Sequence, residues 1–70
     1  MPKKIRELKQ MLQKVGFRSR TGKGSHSNWY HPLYQGRITL SGKDGSDAKT
    51  YLEKRVLEAI EQVKRRQNSE

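Results

Sequence analysis

The chain has 70 residues, of which 16 are lysine or arginine and 7 are aspartate or glutamate, so its formal net charge is +9. A chain this short is expected to form one small domain with a thin core, which excludes a deep substrate cavity. It contains no cysteine, which excludes disulfides and thiolate metal sites. The charge favours a polyanionic partner, either nucleic acid or an anionic membrane, over a merely soluble basic domain.

No apolar run is long enough to cross a membrane or to act as a signal sequence. The basic, amphipathic N-terminal segment could suggest a membrane-surface helix, but it contains Glu7 and runs directly into a strand pattern. We therefore interpret it as a packed helix. We expect a cytoplasmic protein with no membrane partner, and the absence of disulfides in so small a domain is in keeping with a reducing compartment.

The first predicted element is a helix over residues 3–15, and Gly16 is a typical residue for ending it. Its apolar residues recur at helical spacing and are expected in the core: Ile5, Leu8, Leu12 and Val15, with Met11 beside them.

Three short strands follow, predicted over residues 17–20, 25–31 and 37–40 from their alternating and β-favouring residues. Residues 21–24 and 33–36 are predicted turns, and Pro32 is expected to end the pairing of the second strand. A loop is predicted over residues 41–46.

The last predicted helix begins near Asp47, and residues 65–70 are expected to be a frayed tail. Its apolar stripe comprises Leu52, Val56, Ala59, Ile60 and Val63. The short turns predict an antiparallel meander, and each apolar helix stripe needs a partner. We therefore predict a single α+β domain over residues 1–70, with the element order α-β-β-β-α and both helices on one face of a three-stranded antiparallel sheet.

Alternation along the strands predicts which side chains face the helices, namely Phe17, Trp29, Ile38 and Leu40. The opposite face is then expected to carry Arg18, Arg20, His26, Asn28, Tyr30, Arg37 and Thr39. This face has cations and an aromatic ring but no carboxylate, which favours nucleic-acid binding over an ordinary solvated surface.

His26 is the candidate catalytic residue, because an imidazole titrates near pH ~6.5 and can both accept and donate protons at neutral pH. It follows Lys23, Gly24 and Ser25, whose ammonium and backbone groups could hold a phosphate. In RNA, a base that deprotonates the 2′-hydroxyl lets that oxygen attack the adjacent phosphate. We expect no metal or other cofactor, because the chain offers no carboxylate cluster for magnesium.

His31 precedes Pro32 and, by alternation, points inward or to the rim, so it is predicted to be a turn or packing residue. A zinc site formed by the two histidines is not expected, because they have opposite alternation and no thiolate accompanies them.

The residues Gly16-Phe17, Gly24-Ser25-His26, Trp29 and His31-Pro32, with the alternating third strand and the closing helix, resemble the HicA toxins. The resemblance covers nearly the whole chain, and Gly-Ser-His is its most specific part. It implies a double-stranded-RNA-binding-domain-like fold and a metal-independent mRNA interferase inhibited by a HicB-like antitoxin. It also implies that His26 is the catalytic histidine.

The chain departs from the family after the third strand, where many members carry a proline and a second histidine. Here the sequence is Ser41-Gly42-Lys43-Asp44, and Lys43 supplies a charge but shuttles protons less readily than an imidazole. This departure leaves three interpretations open: a slower enzyme, a different acid group or a decayed toxin. The predicted RNA-binding residues are Arg18, Arg20, Lys23, Gly24, Ser25, Asn28, Tyr30, Arg37 and Lys43.

Two other functions remain as alternatives to messenger RNA cleavage. One is a double-stranded-RNA-binding module without chemistry, since such domains recognise shape and phosphates. The other is an interaction protein whose basic face only docks an acidic partner.

Overall fold

The computed structural model describes residues 3–21 and 26–68, and it has the predicted order of elements. The elements are α1 (Ile5–Lys14), β1 (Arg18–Thr21), β2 (Ser27–His31), β3 (Tyr34–Leu40) and α2 (Thr50–Gln67). The strands form one antiparallel sheet in the order β1-β2-β3, and both helices pack on one face of it. The predicted fold class is confirmed, and the arrangement is consistent with a double-stranded-RNA-binding-domain-like fold.

The core lies between the two helices and the inner face of the sheet, as the apolar patterns predict. Its buried residues are Ile5, Leu8 and Leu12 from α1, Phe17 just before β1, Trp29, Ile38 and Leu40 from the sheet, and Leu52, Val56, Ala59, Ile60 and Val63 from α2. Ala48 is also buried, although it lies in a loop and no periodic pattern indicates it.

Helix α1 ends where Gly16 predicts. The Gly16 N–H donates to the Gln13 carbonyl at 3.1 Å, and the Phe17 N–H donates to the Leu12 carbonyl at 3.0 Å. This is the Schellman arrangement, which requires a left-handed residue after the C-cap, and Gly16 has φ of +98°. The turn directs Phe17 back into the core.

The prediction of a turn over residues 33–36 was wrong. The turn consists of Pro32 and Leu33, and Tyr34 already pairs with His31 in β3. A side chain holds this short turn, because the Leu33 N–H donates to His31 Nδ1 at 3.0 Å. The third strand is therefore three residues longer at its start than the alternating residues 37–40 indicate.

Helix α2 begins at Thr50, not near Asp47, because the preceding residues are held by the start of α1. The Ala48 N–H donates to the Lys3 carbonyl at 2.7 Å, and the Ile5 N–H donates to the Ser46 carbonyl at 3.0 Å. Asp47 forms an ion pair with Lys4 at 2.5 Å. Residues 41–49 therefore form a loop that docks on α1.

Residues 65–67, which were expected to belong to a frayed tail, are part of α2, because the helix continues to Gln67. Arg65 pairs with Glu61 at 2.6 Å, and Arg66 Nη1 donates to the Leu33 carbonyl at 3.0 Å. The last turn of α2 is thereby joined to the β2–β3 turn. Neither α1 nor α2 is long and apolar enough to cross a membrane, and residues 3–21 and 26–68 contain no other helix.

Candidate nucleic-acid interface

The face of the sheet that points away from the helices is called the open sheet face; its residues are Arg18, Arg20, Asn28, Tyr30, Arg37 and Thr39. The strand register aligns Arg18 with Tyr30, and Asn28 with both Arg20 and Thr39. All these side chains are exposed except that of Asn28, which is half-buried. The alternation along the strands therefore predicted their common face correctly.

The arginines of the open sheet face have no acidic partner in the part of the chain that the structure describes. The ion pairs there involve Lys4, Lys9 and Arg65, which lie on or next to the helices. The Arg20 guanidinium carbon lies 5.8 Å from the centre of the Tyr30 ring, within the range of a cation–π contact. Thr39 Oγ1 donates to Asn28 Oδ1 at 2.8 Å, which orients the amide between two strands. The face thus combines unpaired cations with an aromatic ring.

His26 lies just outside the paired part of β2. It precedes Ser27, the first paired residue of β2, so the alternation of the strand does not control its side chain. The exposed His26 side chain lines a groove, named here the His26 groove, whose residues include Lys9, Gln13, Ser19, Arg20, His26 and Lys43. Arg20 is the member of the open sheet face that also lines this groove.

The His26 groove brings together parts of the chain that are far apart in sequence. Lys9 and Gln13 come from α1, and Lys43 comes from the loop over residues 41–49. The sequence had suggested Lys43 as a phosphate contact, but Lys9 and Gln13 resembled an ordinary solvated helix face and were missed. No local pattern could have revealed them, because they reach the groove only through the docking of α1.

An ion pair holds the loop beside His26. Lys9 Nζ lies 2.7 Å from Asp44 Oδ1, and the Arg6 N–H donates to the Asp44 carbonyl at 3.2 Å. Both the side chain and the backbone of Asp44 are therefore attached to α1. Because Lys43 is the adjacent residue, this attachment also holds the backbone of Lys43 at the groove.

His31 has a structural position, as predicted. Its Nδ1 accepts the Leu33 N–H at 3.0 Å, so the proton lies on Nε2, which donates to the Val15 carbonyl at 3.0 Å. Its ring also packs against Phe17, with the ring centres 5.0 Å apart. The neutral ring thus connects the end of α1 to the β2–β3 turn, and both of its nitrogens are engaged.

Lys23, Gly24 and Ser25, which the sequence suggests as a phosphate-binding segment, lie outside the described residues. Within residues 3–21 and 26–68, no three histidine or acidic side chains come close enough together to hold a metal ion.

Comparison with known families identifies the chain. The family described as the HicA toxin of bacterial toxin–antitoxin systems matches residues 5–62. No curated protein and no solved structure matches the chain. The family match begins in α1 and ends within α2, so it includes all three strands. The chain therefore belongs to the HicA family and is a toxin of a bacterial toxin–antitoxin system.

Proposed function

We propose that this toxin is a metal-independent endoribonuclease that cleaves messenger RNA, with His26 as the general base or acid. The observation that carries the proposal is the exposed His26 imidazole in a groove that also contains Arg20 and Lys43. The groove adjoins the open sheet face, whose arginines have no acidic partner among the described residues. This arrangement supplies a proton-transfer group and cations in one surface depression.

The proposed reaction needs no external nucleophile, because RNA carries its own. His26 accepts the proton of a 2′-hydroxyl, and the oxygen attacks the adjacent phosphorus while the bond to the 5′-oxygen breaks. The products are a 2′,3′-cyclic phosphate and a 5′-hydroxyl, whose proton comes from an acid group or from water. The Arg20 and Lys43 cations stabilise the additional negative charge of the transition state. DNA cannot react in this way, because it lacks the 2′-hydroxyl.

The proposal assigns phosphate binding to the cations and to the backbone of Gly24 and Ser25. The cations are Arg18, Arg20, Lys23, Arg37 and Lys43. Asn28 and Tyr30 contact the nucleotides on the open sheet face. A HicB-like antitoxin is proposed as the inhibitory partner, and the cytoplasm as the site of action, because messenger RNA is the substrate.

The proposed function is tested by incubating the purified protein with a structured messenger RNA in excess EDTA. Fragments with a 2′,3′-cyclic phosphate end are expected. An RNA with a single 2′-deoxy substitution at the mapped cleavage site is the control, and it should remain intact there. If the protein binds the RNA but leaves it whole, the non-catalytic double-stranded-RNA-binding module becomes the better explanation.

RNA binding is expected to depend strongly on salt. If all five proposed cations contact phosphates, the slope of log K against log salt concentration is about −3.5 for a single strand. The affinity should then fall about 100-fold between roughly 50 and 200 mM salt. Binding is measured with the uncleaving His26→Ala protein across this range.

Matched arginine variants determine whether this salt dependence comes from the open sheet face. Arg37→Gln should reduce the slope by about 0.7, whereas Arg55→Gln on the exposed side of α2 should leave it unchanged. Equal slopes for the two variants would mean that the charge acts without regard to position.

Asp44→Asn is expected to lower kcat about tenfold with a smaller change in KM, because a loosened loop no longer positions Lys43 beside His26. Asp47→Asn is the matched control: it breaks the Lys4–Asp47 pair, which ties the same loop to the same helix outside the groove. Each exposed pair contributes at most about 1 kcal/mol to stability. Equal losses of kcat in both variants would indicate only a general loosening of the loop.

A further inference from the structure

We propose that the toxin holds one unpaired nucleobase against the ring of Tyr30, in a second groove that meets the His26 groove at β1. This inference rests on the proposed function. It deepens that function by adding a nucleotide subsite and by specifying an unpaired RNA strand as the ligand.

The second groove, named here the Tyr30 groove, is lined by Gly16, Arg18, Ser19, Arg20, Tyr30 and Pro32, together with His31. It shares Ser19 and Arg20 with the His26 groove, so the two grooves meet at β1. β1 is an edge strand that pairs with β2 alone among the described strands. A bound strand can therefore run across β1 from one groove to the other without meeting another described strand.

The chemistry of the Tyr30 groove suits a base beside a phosphate. The side chain of Tyr30 is 37 % exposed, and Arg18 and Arg20 lie opposite and diagonal to it on β1. His31 offers no ring nitrogen for reading a base, because both are bonded to the backbone. The groove thus supplies an aromatic surface and two cations, the combination that binds single-stranded nucleic acid with little preference for base identity.

The distance between His26 and Tyr30 separates this base from the scissile phosphate. Tyr30 lies four residues after His26, and the part of β2 from Ser27 to Tyr30 alone spans about 10 Å. Stacked nucleotides in a duplex strand rise only about 3.4 Å each. The base at Tyr30 therefore belongs to a different nucleotide from the one at His26. In a duplex, both faces of an interior base are covered by its neighbours, so a base on the Tyr30 ring must be unpaired.

The test uses the His26→Ala protein and a short unpaired RNA of defined sequence. Tyr30→Ala should weaken binding about 10- to 100-fold, whereas Tyr30→Phe, which keeps the ring, should bind normally. Tyr51→Ala is the matched control and should have no effect, because Tyr51 is a 60 % exposed tyrosine on α2, outside both grooves. Thermal melts should show all these variants to be folded.

A series of RNAs with one abasic nucleotide at successive positions then locates the base. At one position, the abasic nucleotide should lower the affinity as much as Tyr30→Ala does. Combining that RNA with Tyr30→Ala should then cause no further loss. The inference is overturned if the fully paired duplex binds as tightly as the strand, or if Tyr30→Ala weakens every abasic RNA by the same factor. It is equally overturned if Tyr30→Ala affects only binding to an acidic peptide, because the groove would then be a protein-docking surface.

Binding is measured here without cleavage, so the outcome is separate from that of the proposed function. Intact RNA after incubation with the wild-type protein would reject the nuclease. Unaltered affinity of Tyr30→Ala for RNA would reject the subsite and the Tyr30 contact, but not the proposed cleavage by His26.

Discussion

Replacing His26 with alanine is expected to lower the rate of messenger RNA cleavage by about 10²- to 10⁴-fold, the usual contribution of a general acid or base. His26 is the proposed proton-transfer group of the groove, and the nearby Arg20 and Lys43 side chains supply positive charge. They stabilise charge but do not replace an imidazole. The measurement is single-turnover cleavage in excess EDTA, with the wild-type and variant proteins at equal concentration.

The same substitution should leave the fold and most of the RNA affinity intact. The His26 side chain is exposed and makes no hydrogen bond or ion pair within residues 3–21 and 26–68, so its removal should change stability by less than about 0.5 kcal/mol. Cleavage at the wild-type rate would remove His26 from the mechanism. A loss of RNA affinity as large as the loss of activity would make it a binding residue instead.

Replacing His31 with alanine is expected to affect stability instead of catalysis. The free energy of unfolding should fall by about 2–3 kcal/mol. The variant loses two hydrogen bonds, to the Val15 carbonyl and from the Leu33 N–H, and the packing of the ring against Phe17. For a domain of this size the melting temperature should fall by about 10–20 °C. Thermal and urea unfolding followed by circular dichroism measure this change.

Below its own melting transition, the His31→Ala protein should retain cleavage activity. Gly16→Ala is an independent check on the same junction, because a Cβ atom there would lie 3.2 Å from His31 Nε2 at a backbone φ of +98°. It too should destabilise the protein without abolishing cleavage. If His31→Ala keeps the wild-type melting temperature but loses activity, His31 is the second proton-transfer group that the 41–44 segment lacks.

Much of the fold was predictable because it depends on relations between neighbours along the chain. The spacing of Leu52, Val56 and Val63 indicated the buried stripe of α2 directly. Gly16 predicted the end of α1, since a left-handed residue is needed there whatever the rest of the chain does. Alternation within paired strands likewise predicted that Trp29 is buried and Tyr30 exposed.

The candidate site was predictable only in part. The cations of the open sheet face belong to paired strands, so their common direction followed from the sequence. His26 precedes the pairing of β2, where alternation no longer applies, and its neighbours Lys9 and Gln13 were not foreseen. The position of His31 before Pro32 already indicated a packing role, and the structure adds that both of its ring nitrogens are bonded whereas the His26 side chain is exposed.

The sequence by itself thus determined the order of the elements, the face that each paired strand buries and the positive charge of the exposed face. These properties arise from backbone geometry and from side chains a few residues apart. The tertiary structure decided where α2 begins, which partners bond the His31 ring and which residues share a groove with His26. Those outcomes depend on contacts such as Lys9–Asp44 and Lys4–Asp47, whose partners lie 35 and 43 residues apart. No local pattern encodes such contacts, because they form only when the loop over residues 41–49 docks on α1.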